Sequence, residues 1–287
     1  MPIKTILACI SSAEASATTL EVAYRLAGKS GAHIEALHVR ADPRGLVPYT
    51  GEGMDGSMIE EIMEVTEKEG GERAESARAM FDAFCRDKGL ALSDTPGGDG
   101  PTAFWREETG REDEIVAVRG RLFDLVAVGR ARREAPLPSP ITLEAALLDT
   151  GRPIVIAPST LPAATGRHIA VAWETSPEAA RAIAQSIPLL AAAEKVTLLA
   201  GEPAVAPNIA PEEGVARLAW SGVKAEIKRF DVHEAEIGAA YLKHSGAVGA
   251  DLLVKGAYSQ SRLRQMILGG RTRHIITHTE IPVYLAH

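Results

Sequence analysis

Cysteine is scarce: Cys9 and Cys85 are the only two in 287 residues. Two thiols cannot build a zinc cluster or a disulfide framework, and Cys9 in a strand-like run and Cys85 in a helix-like run are expected to be reduced and buried. Long apolar runs are missing too. None approaches the ~20 residues that cross a bilayer, and Met1-Pro2-Ile3-Lys4-Thr5 is not a basic segment leading into an apolar one, so the expectation is a soluble cytoplasmic chain with no membrane partner. Positive charge is in deficit, with 31 Lys+Arg against 38 Asp+Glu and a net charge of −7. A surface built to grip phosphate backbones is therefore not expected, and neither is a nucleic-acid partner. The sequence has no G-x-S-x-G, and neither a Cys–His nor a paired-carboxylate constellation can be assembled from it, so no residue is nominated as a catalytic nucleophile.

What is present is an ordinary globular balance, 46 % hydrophobic and 24 % charged, at a length that suggests two domains. The halves differ in charge. Residues 1–160 carry 18 Lys+Arg against 26 Asp+Glu, and residues 161–287 carry 13 against 12. Much of the acid excess lies in Glu60, Glu61, Glu64, Glu67, Glu69, Glu72 and Glu75, which read as the solvated face of a helix.

The halves also repeat. Ile6-Leu7-Ala8-Cys9-Ile10-Ser11-Ser12-Ala13-Glu14-Ala15 parallels Ala170-Val171-Ala172-Trp173-Glu174-Thr175-Ser176-Pro177-Glu178-Ala179. Phe123-Asp124-Leu125-Val126-Ala127-Val128-Gly129 parallels Ala250-Asp251-Leu252-Leu253-Val254-Lys255-Gly256, and Pro153-Ile154-Val155-Ile156-Ala157 parallels Pro282-Val283-Tyr284-Leu285-Ala286. A repeat of this length is one supersecondary unit used twice. The expected domains are 1–160 and 166–287, with 159–166 as linker.

Short apolar runs alternating with helical patterns give an α/β reading, with parallel sheets covered on both faces. Strands are expected near 3–10, 33–39, 90–94, 122–128 and 153–158, then near 168–173, 195–200, 223–230, 250–255 and 281–286. Helices are expected near 13–29, 57–88, 111–120 and 141–150, then near 177–193, 209–220, 233–248 and 270–279. Ser12 and Ser57 read as N-caps, and Ser176-Pro177 as a helix start. The main asymmetry is the Pro/Gly-rich stretch 42–56 and the long helix after it, which Gly70-Gly71 should interrupt. Its stripe of Ile59, Ile62, Met63, Ala77, Phe81 and Phe84 reads as core, with a partner surface or a gate over a cleft as the alternative.

Three motif-like stretches carry little. Gly51-Glu52-Gly53-Met54-Asp55-Gly56 has the letters of a dinucleotide fingerprint but does not leave a strand directly. Gly28-Lys29-Ser30 closes a helix and cannot cradle phosphate as a P-loop does. His274 and His278 share a helical face without a third ligand nearby.

The informative segment is Val254-Lys255-Gly256-Ala257-Tyr258-Ser259-Gln260-Ser261-Arg262-Leu263-Arg264-Gln265-Met266-Ile267-Leu268-Gly269-Gly270-Arg271-Thr272-Arg273. Gly256 ends a buried strand and Gly269-Gly270 opens a helix, so loop amides and a helix N-terminus can converge on an anion at the sheet's carboxyl edge. A surface loop with solvated arginines is the alternative reading of the spacing.

This segment resembles the signature of the universal stress protein (UspA) family, G-x2-G-x9-G-[ST], in the version found in its tandem-domain members. Val171-Ala172-Trp173-Glu174-Thr175-Ser176-Pro177-Glu178-Ala179-Ala180-Arg181 resembles that family's first strand and helix. The resemblance covers nearly the whole chain as two repeats. It implies two tandem doubly wound domains, each a five-stranded parallel sheet of the adenine nucleotide alpha hydrolase-like kind, with ATP and Mg bound at the strand ends in many members. Carried over, Gly256, Ser259, Gly269 and Gly270 would surround the phosphates, with Thr272 nearby, and Glu174 would take the place of an Asp that contacts the nucleoside.

Ser259 stands where the family has a second glycine, and Gly270 where it has a hydroxyl. The first repeat departs further, with Ile10 in place of the acidic residue and no glycine pair after Gly129, so the first repeat is expected to be structural. The expected function is a cytoplasmic stress-response protein that binds nucleotide in its second repeat, with a homo-oligomer or pairing of the two repeats within the chain. An interaction scaffold without ligand is the alternative, and weak nucleotide hydrolysis a third reading. On this view a β-branched residue at position 256 would abolish nucleotide binding and leave the fold nearly intact.

Overall fold

The computed structural model describes residues 2–43, 56–96, 100–130, 139–202, 209–231, 237–257 and 270–287. In the first half the elements are β1 (Thr5–Cys9), α1 (Ala13–Ala27), β2 (His33–Arg40), α2 (Gly56–Lys88), β3 (Ala91–Leu92), β4 (Thr102–Thr109), α3 (Glu112–Arg119), β5 (Leu125–Gly129), α4 (Pro140–Leu148) and β6 (Ile154–Ala157). In the second they are β7 (His168–Ala172), α5 (Pro177–Ala191), β8 (Lys195–Glu202), α6 (Pro211–Ala219), β9 (Ala225–Asp231), α7 (Ile237–Ala247), β10 (Leu252–Gly256), α8 (Gly270–His278) and β11 (Val283–Ala286).

The eleven strands of the described residues form one sheet, in the order β3-β4-β2-β1-β5-β6-β11-β10-β7-β8-β9. Pairing is parallel within each half. The halves join through one antiparallel pair, β6 with β11, where Ile156 faces Val283, Val155 faces Tyr284 and Ile154 faces Leu285. In the repeat correspondence Val155 and Tyr284 are equivalent positions, so a local twofold axis passes between them. Two separate five-stranded sheets were expected. The sheet is instead continuous, because the last strand of each half offers its free edge to the other.

Among the described residues the first half contributes six strands and the second five, the edge strand β3 having no counterpart there. The expected strand at 90–94 shrinks to its two exposed residues, and β4 takes the place beside β2 that β9 takes beside β8. The charges Arg106, Glu107 and Glu108 hide β4 in the sequence, and tertiary partners satisfy all three, Glu107 accepting from Arg40 Nη1 on β2 at 3.4 Å. Arg106 donates Nε and Nη2 to Glu35 on β2, at 2.6 and 3.3 Å, and Glu108 accepts from Arg119 on α3. Nor do Gly70 and Gly71 interrupt α2, which runs through both; nothing lies within 4 Å of where their side chains would be. Ser57 lies inside α2 and does not precede it.

The repeats share their fastenings. Ser12 caps α1 by accepting from Ala15 N, and Ser176 caps α5 by accepting from Ala179 N. Asp124, just before β5, accepts from the N–H groups of Lys4 and Thr5, and Asp251, just before β10, from those of Arg167 and His168. Each carboxylate satisfies backbone donors where a neighbouring parallel strand begins, which is why an acidic residue recurs ahead of both apolar runs. Two apolar cores cover the faces of the sheet, one centred on α1, α2 and α5, the other on α4, α7 and α8. Cys9 and Cys85 are free and buried. Burial, and secondarily the Glu112 charge, pushes the Cys9 thiol far up; burial pushes that of Cys85 up to about 11.

Candidate functional site

In open parallel sheets, ligands bind outside the carboxyl ends of the strands, where the connections diverge to opposite faces. In the second half that place lies between β7 and β10. From β7 come Trp173 and Glu174, which lead to the capped start of α5; from β10 come Lys255 and Gly256.

Lys255 was not singled out in the sequence, yet it organises this edge. Its side chain is 5 % exposed, and its ammonium donates to Glu174 Oε2 and to the Gly256 carbonyl, both at 3.0 Å. The ring of Tyr241 on α7 lies below it, 5.9 Å from Nζ to the centroid, and the Tyr241 hydroxyl donates to the Trp173 carbonyl at 3.2 Å. Glu174 is 21 % exposed, and its Oε1 makes no hydrogen bond among the described residues. The edge thus holds one carboxylate oxygen on a buried cation and leaves the other without a partner among the described residues. A lone charge closing the run Leu252-Leu253-Val254 was the signal available in the sequence.

Gly256 is fixed by packing. A Cβ there would lie 2.3 Å from Ala179 N and 2.6 Å from Glu178 C, backbone atoms of the first turn of α5. The sequence-based expectation that a β-branched residue would spare the fold is therefore corrected: such a variant forces α5 off the sheet and loses structure together with any binding. Gly214 has a comparable role under the Trp173 ring, 2.3 Å from where its Cβ would stand, and Trp173 Nε1 donates to the Ile209 carbonyl at 3.0 Å.

Of the six residues expected to form the site, Glu174 and Gly256 meet here through Lys255. Gly270 opens α8 and Thr272 lies in its first turn, with only their backbone described; Ser259 and Gly269 lie outside the described residues. At the other end of α8 the His274 and His278 rings stack 4.2 Å apart, and no cluster of three or more metal-ligating side chains occurs among the described residues.

The first half builds the same corner from different residues. Val128 stands at the position of Lys255, but the expectation that Ile10 replaces the acidic residue is corrected: Ile10 N donates to the Leu37 carbonyl as Trp173 N does to that of Leu199, so Ile10 matches Trp173, and the position of Glu174 falls to Ser11, which is buried and whose N–H donates to Ser16 Oγ. The Ile10 carbonyl accepts from His38 Nδ1 at 2.7 Å, and the imidazole stacks on Trp105 with ring centroids 5.9 Å apart. Burial lowers the pKa of His38, against the raising effect of its bond to Ile10. Arg130, following β5, reaches into the second half: Nη1 donates to the Thr277 and Thr279 carbonyls at the end of α8, both at 3.1 Å, and Nη2 to Ser159 Oγ at 2.8 Å. Residues 131–138, the rest of the loop in which a glycine pair was lacking, lie outside the described residues, as do 44–55 with most of the Gly51–Gly56 motif.

No protein-family model matches the chain, and no curated protein matches it significantly. Among solved structures, a universal stress protein from Archaeoglobus fulgidus DSM 4304 superposes with a TM-score of 0.66 at 17 % identity, covering 98 % of this chain and 95 % of that one. A functionally unknown protein from Pseudomonas aeruginosa PAO1 superposes with a TM-score of 0.55 at 16 % identity, covering 99 % and 92 %. At these identities the likeness is one of fold, and it runs through both halves. The chain has the fold of a two-repeat universal stress protein. No helix among the described residues is long and apolar enough to cross a membrane.

Proposed function

We propose that this chain is a tandem stress-response or signalling protein of the universal stress type, acting in the cytoplasm, whose second half binds ATP or a related nucleotide with Mg²⁺. Residues 1–160 and 166–287 are its two repeats, paired within the chain. One observation carries the reading: the second half has a charged pair, Glu174 and Lys255, at its strand ends, where the first half has the uncharged Ser11 and Val128. An ion pair withdrawn from water is seldom worth more than the apolar contact that could replace it, so its retention in only one of two equivalent corners points to a ligand.

In this reading the free Glu174 oxygen accepts from the nucleoside. The phosphates lie toward the start of α8, where Gly256, Ser259, Gly269, Gly270 and Thr272 carry the family resemblance and a helix N-terminus favours an anion. Mg²⁺ bound with the nucleotide neutralises the polyphosphate.

The test is calorimetric titration of the nucleotide-stripped full chain with Mg-ATP. The expected result is about one site per chain with a micromolar dissociation constant. Absence of binding up to millimolar ATP, checked by a second method because binding heat can vanish, overturns it. The scaffold reading would then lead, and one observation favours it: α5 fills the space beside Gly256, so that glycine is accounted for without a phosphate.

A further inference from the structure

Lys255 has no counterpart in the first half and no task in holding the sheet together. Its neighbours Leu252, Leu253 and Val254 pair with β7 and β11 as Leu125 and Val126 pair with β1 and β6, and the first half places a valine where Lys255 stands. Burying an ammonium costs free energy that a valine would not, so the lysine must act through what it touches. It touches the Glu174 carboxylate, its own strand's last carbonyl and an aromatic face. Two acceptors and a ring leave the ammonium one arrangement, and a carboxylate bound through Oε2 has its Oε1 direction set by that bond.

We infer that Lys255 is a positioning residue for Glu174, holding its outer oxygen toward the crevice so that the second half selects ligands that present hydroxyl donors there. This rests on the nucleotide reading above and assigns its selectivity to a specific contact. Glutamate has one more rotatable bond than aspartate and would otherwise sample several orientations at a mouth one-fifth exposed; the lysine removes that freedom. A charged acceptor held in place rewards a hydroxyl and leaves an unmet acceptor when the hydroxyl is missing, which is how a binding site discriminates between otherwise similar ligands.

The experiment compares ATP with 2′,3′-dideoxy-ATP on the full chain, as wild type, Lys255→Met and Lys255→Arg, each first shown by circular dichroism and thermal melting to be folded. Wild type is expected to prefer ATP by about tenfold or more, Lys255→Met to lose most of that preference by weakening ATP and sparing the dideoxy compound, and Lys255→Arg to recover part of it. A Lys255→Met protein that keeps the wild-type preference overturns the inference and leaves nucleotide binding standing. So does a uniform loss for both ligands, which marks a structural role. A wild type that binds neither ligand overturns the nucleotide reading itself, and the inference with it. Should Lys255→Met not fold, Glu174→Gln supplies the comparison: it keeps the shape of the side chain, and an unchanged preference in it also overturns the inference.

Discussion

The two carboxyl edges of this sheet occupy equivalent places in the two halves and differ in kind. In the first half Ser11 and Val128 are buried and uncharged, and the Ser11 N–H donates to Ser16 Oγ of α1. In the second, Glu174 and Lys255 form a charged pair at the strand ends, and the other Glu174 oxygen has no partner among the described residues. The fastenings of the fold are meanwhile the same on both sides, with serine caps on α1 and α5 and aspartates ahead of β5 and β10. The contrast separates what the architecture needs from what a site needs. Features present in both halves hold the sheet; features present in one are available for chemistry.

The comparison breaks most visibly if the charged pair is split. Glu174→Ser leaves the Lys255 ammonium buried without its carboxylate and should cost about 3–5 kcal/mol. Glu174→Ser with Lys255→Val installs the first half's residues in the second and should return to within about 1 kcal/mol of wild type, read by urea denaturation. A double variant as unstable as the single one would mean that the two corners are not interchangeable.

The shared fastenings predict an intermediate effect. Asp124→Ala and Asp251→Ala each orphan backbone donors at a strand start, and each should destabilise by about 1–3 kcal/mol. Similar losses in denaturant midpoint would sharpen the equivalence, whereas a loss confined to one would show that the repeats are held by different means.

The smallest expected effect is a dependence on pH that belongs to the first corner. Burial holds the His38 pKa below its ordinary value, so the folded state resists protonation. The stability this contributes is complete above the ordinary histidine pKa of about 6.5 and is lost as pH falls below it through the depressed value. Melting temperatures recorded from pH 8 to pH 5 should therefore decline on the acid side, and less so in His38→Gln. His33, His168, His244 and His274 are lowered by burial as well, so the variant removes only one histidine's share of the slope.

Much of the fold was legible because buried parallel strands write themselves as apolar runs. Leu125-Val126-Ala127-Val128 and Leu252-Leu253-Val254 could be little else, and the helices of both halves lie within a few residues of their expected ends. What escaped was settled by tertiary contacts. β4 carries charges whose partners sit on β2 and α3, far away in sequence, and the join of two sheets into one depends on an edge-to-edge pairing that no local pattern announces.

The candidate site was legible in outline only. Glu174 and Gly256 were expected from the family signature and lie at one strand edge, but Lys255, which bonds to both, was read as one more residue of a core strand. The packing of Gly256 against the backbone of α5 was not announced by any spacing.

The twofold axis between Val155 and Tyr284 carries one more consequence. In a dimer of identical chains a residue on the axis must face its own copy, so tyrosine would meet tyrosine or valine would meet valine. Each outcome wastes space, the first by crowding and the second by leaving a gap. Joining both copies in one polypeptide releases that constraint, and a large ring sits opposite a small branched side chain in the middle of the sheet. The same release extends to the strand ends: a mutation that removes a charge from one copy no longer removes it from the other. One polypeptide can therefore hold a charged pair at one corner and a valine and a serine at the other.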